Sequence, residues 1–415
     1  MVYSRDTRKN SQHLRVLRFQ VLLKSCGKPG SDYSFPRINR KAVRILFNFA
    51  TLVKRYTLFT ENDDRWSNFL ALPKNMLTLI LDTLHRLLYI LPIKPRQVQI
   101  EITNRCNMDC PMCPREVLDI ELEHMDWDKF VTVTDKLTER ENITLTGWGE
   151  PFLHPRIFDM IAYCKERGHR VMITSNGLFT KESIPDEILN SGLDEITFSI
   201  DGVEDNNVSN GHTSNKVYEN IEKIARLRKT ERPSIRLQAT LHEGCEKDLY
   251  NVIRFGARIG VEAVNVGRID RKYAPELKRP SPVEEERIFY EADHIANECG
   301  IRLDWLQYAV GTRMVRFFYR LLRKKLHQSG KYCLKTFDYA YVSREGNVTP
   351  CCLLPEVKMG NLLDGDLQTI WQNEKFNHFR KNYRDTCGSC DLWVIDQVDS
   401  GQVVRKNQIP SQVPA

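Results

Sequence analysis

Between residues 97 and 268 the sequence alternates short apolar runs with amphipathic ones, and this alternation restricts the fold more than any other feature. Six runs read as strands: Gln97–Thr103, Asn142–Thr146, Arg170–Thr174, Glu195–Ile200, Ile235–Leu241 and Ala263–Arg268. Between them, helical spacing is found at Trp127–Leu137, Ile157–Arg167, Pro185–Ser191, Val217–Lys229 and Asp248–Ile259. Strands separated by helices are parallel, because the helix returns the chain across the sheet before the next strand begins. The expected fold class is therefore α/β, with six units curling into a partial (β/α)6 barrel. In such barrels the chemistry sits on the loops at the C-terminal strand ends. Functional motifs are expected directly after strands.

The barrel segment, 97–275, is flanked on both sides. Residues 1–96 read as a basic helical N-terminal extension, with Val43, Leu46, Phe47, Ala50 and Val53 at helical spacing and a helix over Met76–Leu91 that stops before Pro92. Three prolines in Lys272–Pro282 mark a linker into a helical region, 276–330. That region holds a helix near Val283–Glu298 and a basic amphipathic stretch, Thr312–His327. Residues 331–395 read as a small C-terminal α+β module, and 396–415 as a polar tail.

Charge is distributed unevenly. Residues 1–96 contain 18 Lys and Arg against 6 Asp and Glu; the rest contains 43 against 48. Two readings stay open. The basic segments contact an anionic membrane surface, a polyphosphate-linked substrate or an acidic partner, or they pack on the barrel and keep a solvated basic face. No dedicated nucleic-acid module accompanies the charge, so no nucleic acid is expected as partner. The first residues lack the apolar core of a secretory signal, and Met76–Leu91 contains Asp82, His85 and Arg86. The expected location is cytoplasmic, at most peripheral at the membrane.

Clustered cysteines without a secretory signal point to metal or redox chemistry rather than disulfides. Cys106-Asn-Met-Asp-Cys110-Pro-Met-Cys113 follows the first predicted strand directly. Three thiolates from one loop can hold one cluster, whereas a structural cubane normally takes four cysteines. One iron would then keep the open position that marks catalytic metal sites. A zinc site is the alternative. The spacing resembles the signature of the radical S-adenosylmethionine (SAM) superfamily. That resemblance implies a 4Fe–4S cluster on Cys106, Cys110 and Cys113, with SAM chelated at the open iron. It also implies reduction by flavodoxin or ferredoxin, and cleavage of SAM to a 5′-deoxyadenosyl radical that abstracts hydrogen from a substrate. Met112 stands where the family often has an aromatic residue and would pack on the adenine.

Three further motifs follow strands. Thr146-Gly-Trp-Gly149-Glu150-Pro151 resembles the family's glycine–glutamate motif, which contacts the SAM amino group; glycines permit close backbone approach and a carboxylate pairs with an ammonium. Ser175-Asn176-Gly177 could line the same cavity or form a simple turn. Ser199-Ile-Asp201-Gly202 resembles the family's ribose site, with Ser199 and Asp201 offering polar groups to the hydroxyls.

A second constellation comprises Cys333, Cys351, Cys387 and Cys390, with Cys352 adjoining. Arg344-Glu-Gly346-Asn reads as the turn of a hairpin. Four cysteines with one closing pair also fit a structural zinc ribbon. With the Gly360-Asn361-Leu362 step and a helix near Leu367–Tyr383 holding Trp371, the segment resembles the SPASM/twitch extension of the same superfamily. No cysteine follows Cys390. The resemblance therefore implies the shorter twitch type, with one auxiliary 4Fe–4S cluster on those four cysteines. Cys352 could replace Cys351 as ligand, or stand free and donate a hydrogen atom. The implied activity is of oxidoreductase type: oxidation or epimerisation of a small molecule, sugar or lipid-linked metabolite. A maturase acting on a peptide is the second reading, and a non-catalytic iron–sulfur or zinc scaffold the third.

Overall fold

A computed structural model describes residues 94–116, 121–137, 141–201, 215–269, 276–305 and 339–387. Seven strands follow one another in chain order: β1 (Gln97–Ile100), β2 (Asn142–Leu145), β3 (Arg170–Ser175), β4 (Glu195–Ser199), β5 (Ser234–Leu241), β6 (Ala263–Arg268) and β7 (Arg302–Trp305). The helices between them are α1 (Trp127–Asp135), α2 (Ile157–Glu166), α3 (Ile184–Asn190), α4 (Asn215–Leu227), α5 (Glu246–Ile259) and α6 (Pro282–Cys299). Each of β1 to β6 pairs with its successor in parallel. Crossovers of one hand, taken in unbroken order, put the helices on one face of the sheet.

The alternation within each strand sets the two faces. Val98, Ile100, Ile143, Leu145, Val171, Ile173, Ile196, Phe198, Ile235 and Leu237 point one way and are buried. Gln99, Thr144, Thr174, Thr197, Gln238 and Asn265 point the other way, and the inner face is polar. Near the N-terminal strand ends this face is laced by ion pairs: Arg170–Glu195 at 2.9 Å, Arg236–Asp304 at 3.2 Å and Arg302–Asp304 at 3.0 Å. Their chemistry lies at the end opposite the cysteine loop.

The helix ends follow local rules. Ser281 and Glu284 form a reciprocal capping box at the start of α6, and Gly300, at φ 69°, closes it. Gly260, at φ 71°, does the same for α5. Residue Arg268 ends β6 and forms a buried ion pair with Glu285 of α6, Nε to Oε1 at 2.6 Å.

Two features go beyond the six-unit expectation. Strand β7 was hidden by its length, four residues carrying Arg302 and Asp304. The hairpin of β8 (Tyr339–Val342) and β9 (Asn347–Thr349) does form, turning at Gly346 with φ 82°. It joins the barrel sheet itself, since β8 pairs in parallel with β1. With β10 (Gly360–Asn361) the sheet has ten strands, in the order β10-β9-β8-β1-β2-β3-β4-β5-β6-β7. Beyond it lie α7 (Leu367–Gln372) and α8 (Glu374–Cys387). Trp371 is fully buried there, with the Phe376 ring 4.8 Å away and the Arg380 guanidinium 4.2 Å from its centre.

The first strand stops at Ile100 instead of reaching Thr103, because Glu101 to Asn104 leave the sheet to begin the cysteine loop. The basic extension up to residue 93, Thr312–His327 and the tail 396–415 lie outside the described residues, as do Cys333 and Cys390. Among the described residues no helix is long and apolar enough to cross a membrane.

The Arg268–Glu285 pair gives a stability test. Arg268→Met leaves a buried carboxylate without its guanidinium and should cost about 3–5 kcal/mol in denaturant unfolding. Adding Glu285→Leu should recover a large part of that loss. A neutral single variant would show that the pair carries no such role.

Candidate active site

The loop after β1 is built to hold three thiols in place. The Thr103 hydroxyl oxygen accepts from the Arg105 amide at 3.1 Å, and Asn104 clasps the returning chain, with Nδ2 to Glu121 O at 2.6 Å and Oδ1 from the Glu123 amide at 2.7 Å. The amide of Cys113 donates to Cys110 O at 2.9 Å and closes a tight turn. Arg115 is buried beneath the loop and donates to Met108 O and the Asp109 carboxylate. Sequence reasoning passed over this arginine, which has no signal beyond its place after the triad.

Cys106, Cys110 and Cys113 are half-buried and form no disulfide. Without metal, burial pushes the Cys110 thiol up to about 12, with further contributions from the Cys113 and Cys106 thiols and the Asp201 carboxylate. The same interactions show that Asp201, at the end of β4, lies within electrostatic reach of the cysteine loop. Its Oδ1 accepts from the Thr240 amide of β5 at 2.7 Å. Ser199 is exposed at the end of β4, and Met112 is half-buried in the cysteine loop. Gly202 lies outside the described residues.

The loop after β2 approaches the cysteine loop at backbone distance. A Cβ on Gly149 would lie 2.3 Å from Arg105 O, and one on Gly147 would lie 2.3 Å from Glu101 Cγ. Both positions therefore require glycine. Backbone bonds complete the contact, with the Gly149 amide to Thr103 O at 3.2 Å and the Glu150 amide to Arg105 O at 2.9 Å.

Glu150 is 3% exposed and connects three loops. Its Oε1 accepts from the Phe152 amide at 3.1 Å and the Ser175 hydroxyl at 2.9 Å; its Oε2 accepts from the Asn176 amide at 2.7 Å. A carboxylate has about four acceptor positions, so these protein donors take most of them. Asn176 in turn donates from Nδ2 to Asn107 Oδ1 at 2.9 Å and lies 3.9 Å from Cys106 Sγ. Pro151 opens the short 3-10 turn Pro151–Leu153 below Glu150. The structure thus brings Cys106, Glu150, Ser175 and Asn176 into one network, whereas spacing alone showed only that each follows a strand.

Among the described residues no three His, Cys, Asp or Glu side chains already converge on a single-ion site. The donor set of the first loop is three soft thiols with no fourth cysteine beside them, which suits an iron–sulfur cluster with one iron left for an outside ligand. At the C-terminal site, Cys351, Cys352 and Cys387 are half-buried and form no disulfide. Burial, with contributions from the neighbouring Cys352 and Cys351, pushes the Tyr339 hydroxyl well above its usual range.

A partial barrel with a thiol triad after its first strand and a glycine–carboxylate loop after its second defines a cluster-binding enzyme of the (β/α) class. The family model of the radical SAM superfamily matches residues 100–235, and that of an iron–sulfur cluster-binding domain of SPASM type matches 333–391. The chain belongs to the radical SAM superfamily and carries a C-terminal SPASM domain. It is a radical SAM enzyme with a SAM-binding 4Fe–4S cluster and an auxiliary cluster. The tungsten-containing aldehyde ferredoxin oxidoreductase cofactor-modifying protein of Pyrococcus furiosus is 28% identical over 334 residues, covering 72% of this chain and 87% of that one. The PqqA peptide cyclase of Methylorubrum extorquens is 24% identical over 302 residues, covering 70% and 76%. Among solved structures, Streptococcus suis SuiB bound to S-adenosylmethionine shares the fold, with a TM-score of 0.57 at 15% identity over 83% of each chain.

Burial also pushes the Glu150 carboxyl up to about 7, against the pull of its donors Asn176, Phe152 and Ser175. Between the ordinary value of 4.5 and about 7 the folded chain keeps a proton that the unfolded chain has lost. The associated stability is present below that window and is lost as pH rises through it. In metal-free protein Glu150 should contribute a decline of the unfolding free energy across this range, and Glu150→Gln should make the pH dependence measurably shallower than wild type there. A pH-independent wild type would contradict the burial argument.

Proposed function

We propose that this enzyme is of oxidoreductase type. It would take a hydrogen atom from a substrate held on the polar inner face of the barrel; the auxiliary cluster, when bound, would supply the acceptor for the electron left on the substrate as the substrate gives up a proton. The observation that supports this reading is the pairing of β8 with β1. It places the hairpin carrying Cys351 and Cys352 one strand from the cysteine and glycine loops.

Cys106, Cys110 and Cys113 would hold the first cluster, and Cys333, Cys351, Cys387 and Cys390 the second. When bound, the first cluster would supply the one-electron reduction that cleaves SAM. The protein's part is to position and enclose that chemistry. Glu150, Ser175 and Asn176 fix the glycine loop and Cys106 relative to each other. Ser199 and Asp201 are the proposed ribose partners, and Met112 the proposed adenine contact. Cys351 is the proposed ligand of the second cluster. That assignment leaves Cys352, beside Tyr339, as a thiol able to return a hydrogen atom if the reaction is an epimerisation.

The substrate class extends beyond small metabolites. One relative is named for modifying a cofactor and another for cyclising a peptide. A peptide or a bulky cofactor precursor therefore stands beside a sugar or lipid-linked metabolite as the hydrogen donor.

Anaerobic reconstitution should give about eight irons per chain, as two cubane clusters require. Dithionite or reduced flavodoxin with SAM should then release 5′-deoxyadenosine. Alanine at Cys106, Cys110 and Cys113 together should abolish the release. Alanine at Cys351 and Cys387 should leave it measurable with about half the iron. Zinc in place of iron, or no cleavage by fully loaded protein, would favour a scaffold instead.

A further inference from the structure

The hairpin that carries Cys351 and Cys352 touches the other cysteine site through three side-chain links, all of which run through β1 or the loop after it. The first begins at Tyr339. Its hydroxyl donates to Gln99 Oε1 at 2.6 Å, and Gln99 Nε2 donates to Thr146 O at 2.8 Å. Thr146 opens the glycine loop, and Cys352 lies beside the same tyrosine. The link therefore runs from Tyr339, next to Cys352, through Gln99 to the Thr146 carbonyl.

The second link runs through Glu101, whose Oε1 accepts from the Trp148 amide at 3.1 Å. Its side chain occupies the space that a Cβ on Gly147 would fill. The Tyr341 ring is fully buried on the same face, with its hydroxyl beside that carboxylate but without closed hydrogen-bond geometry. The third link is the ion pair of Arg344, at the hairpin turn, with Glu123. The Glu123 amide donates to Asn104, two residues before Cys106. Arg344 is largely buried and Glu123 half-exposed, so this contact is screened more than the other two.

The geometry points to Tyr339, Gln99 and Glu101 as positioning residues that set the glycine loop for SAM, so that the state of the auxiliary cysteine site changes SAM affinity. None of them needs to touch SAM. They act by holding the carbonyl of Thr146 and the amide of Trp148, which fixes the backbone whose glycines abut the cysteine loop. Coupling of this kind is reciprocal: what tightens one site tightens the other. The inference rests on the reading of the glycine loop as a SAM contact.

Equilibrium dialysis of labelled SAM against the full anaerobically loaded chain tests it. A lost hydrogen bond of about 1 kcal/mol corresponds to roughly fivefold in affinity. Tyr339→Phe and Glu101→Leu should each weaken SAM binding by about that factor, with iron content kept and only a small drop in thermal midpoint. Glu101→Gln retains an acceptor for the Trp148 amide and should restore near wild-type affinity, which a purely space-filling role would not require. Cys351→Ala with Cys387→Ala should weaken SAM binding by a similar factor, and Tyr339→Phe should add little on that background. If Glu101→Leu does not fold, Gln99→Leu replaces it. Unchanged affinity in the folded single variants, or fully additive losses, would overturn the coupling while leaving the SAM site intact. No SAM binding by loaded wild type would overturn both.

Discussion

Strand β1 is paired on both edges, with β2 on one side and β8 on the other. Everything functional in the described structure depends on that double pairing. One edge begins the run of strands whose C-terminal loops carry the glycine, serine–asparagine and aspartate motifs. The other edge recruits a hairpin from more than two hundred residues later in the chain. The last residues of β1 continue into the cysteine loop. Parallel partners on both edges tie β1 to its neighbours from Gln97 to Ile100. The consequence is a fixed spatial relation between two cysteine sites that are far apart in sequence.

Close backbone approach is the second constraint. Gly149 lies against Arg105 O and Gly147 against the Glu101 side chain, so any larger residue at either position separates the loops. The buried carboxylate of Glu150 then holds the β2 and β3 loops with three donors. Burying an acid is costly unless its partners are good, and the upward shift of this group shows that the cost is only partly offset. A site of this kind trades stability for the placement of its loops.

Much of this was legible in the sequence, for identifiable reasons. The six strands of the barrel were readable because alternating β-branched residues and helical spacing give different periods. The motifs were readable because each directly follows a strand. Strand β7 was not readable, since Arg302-Leu-Asp-Trp305 is too short and too charged to show a period. The hairpin was readable as a hairpin from its glycine turn, but its partner was not. Periodicity describes one segment at a time, and edge pairing is decided by which strand offers a free edge. For the same reason Gln99, Glu101, Tyr339 and Tyr341 were passed over: as single polar residues in strands or just past a strand end they carry no local signal. Glu150 was singled out as a ligand contact, and the structure adds its protein partners, which only the folding of β3 beside β2 could supply.

On the proposed reading, two different iron–sulfur sites share one sheet and only one of them meets SAM. Electron paramagnetic resonance of the dithionite-reduced, fully loaded chain, recorded with and without SAM, tests this most directly. The account predicts two cluster signals, of which the one lost in the Cys106, Cys110 and Cys113 variants changes shape on adding SAM, while the one lost in the Cys351 and Cys387 variants keeps its shape. A single signal, or a spectrum in which the triad cluster ignores SAM, would contradict it.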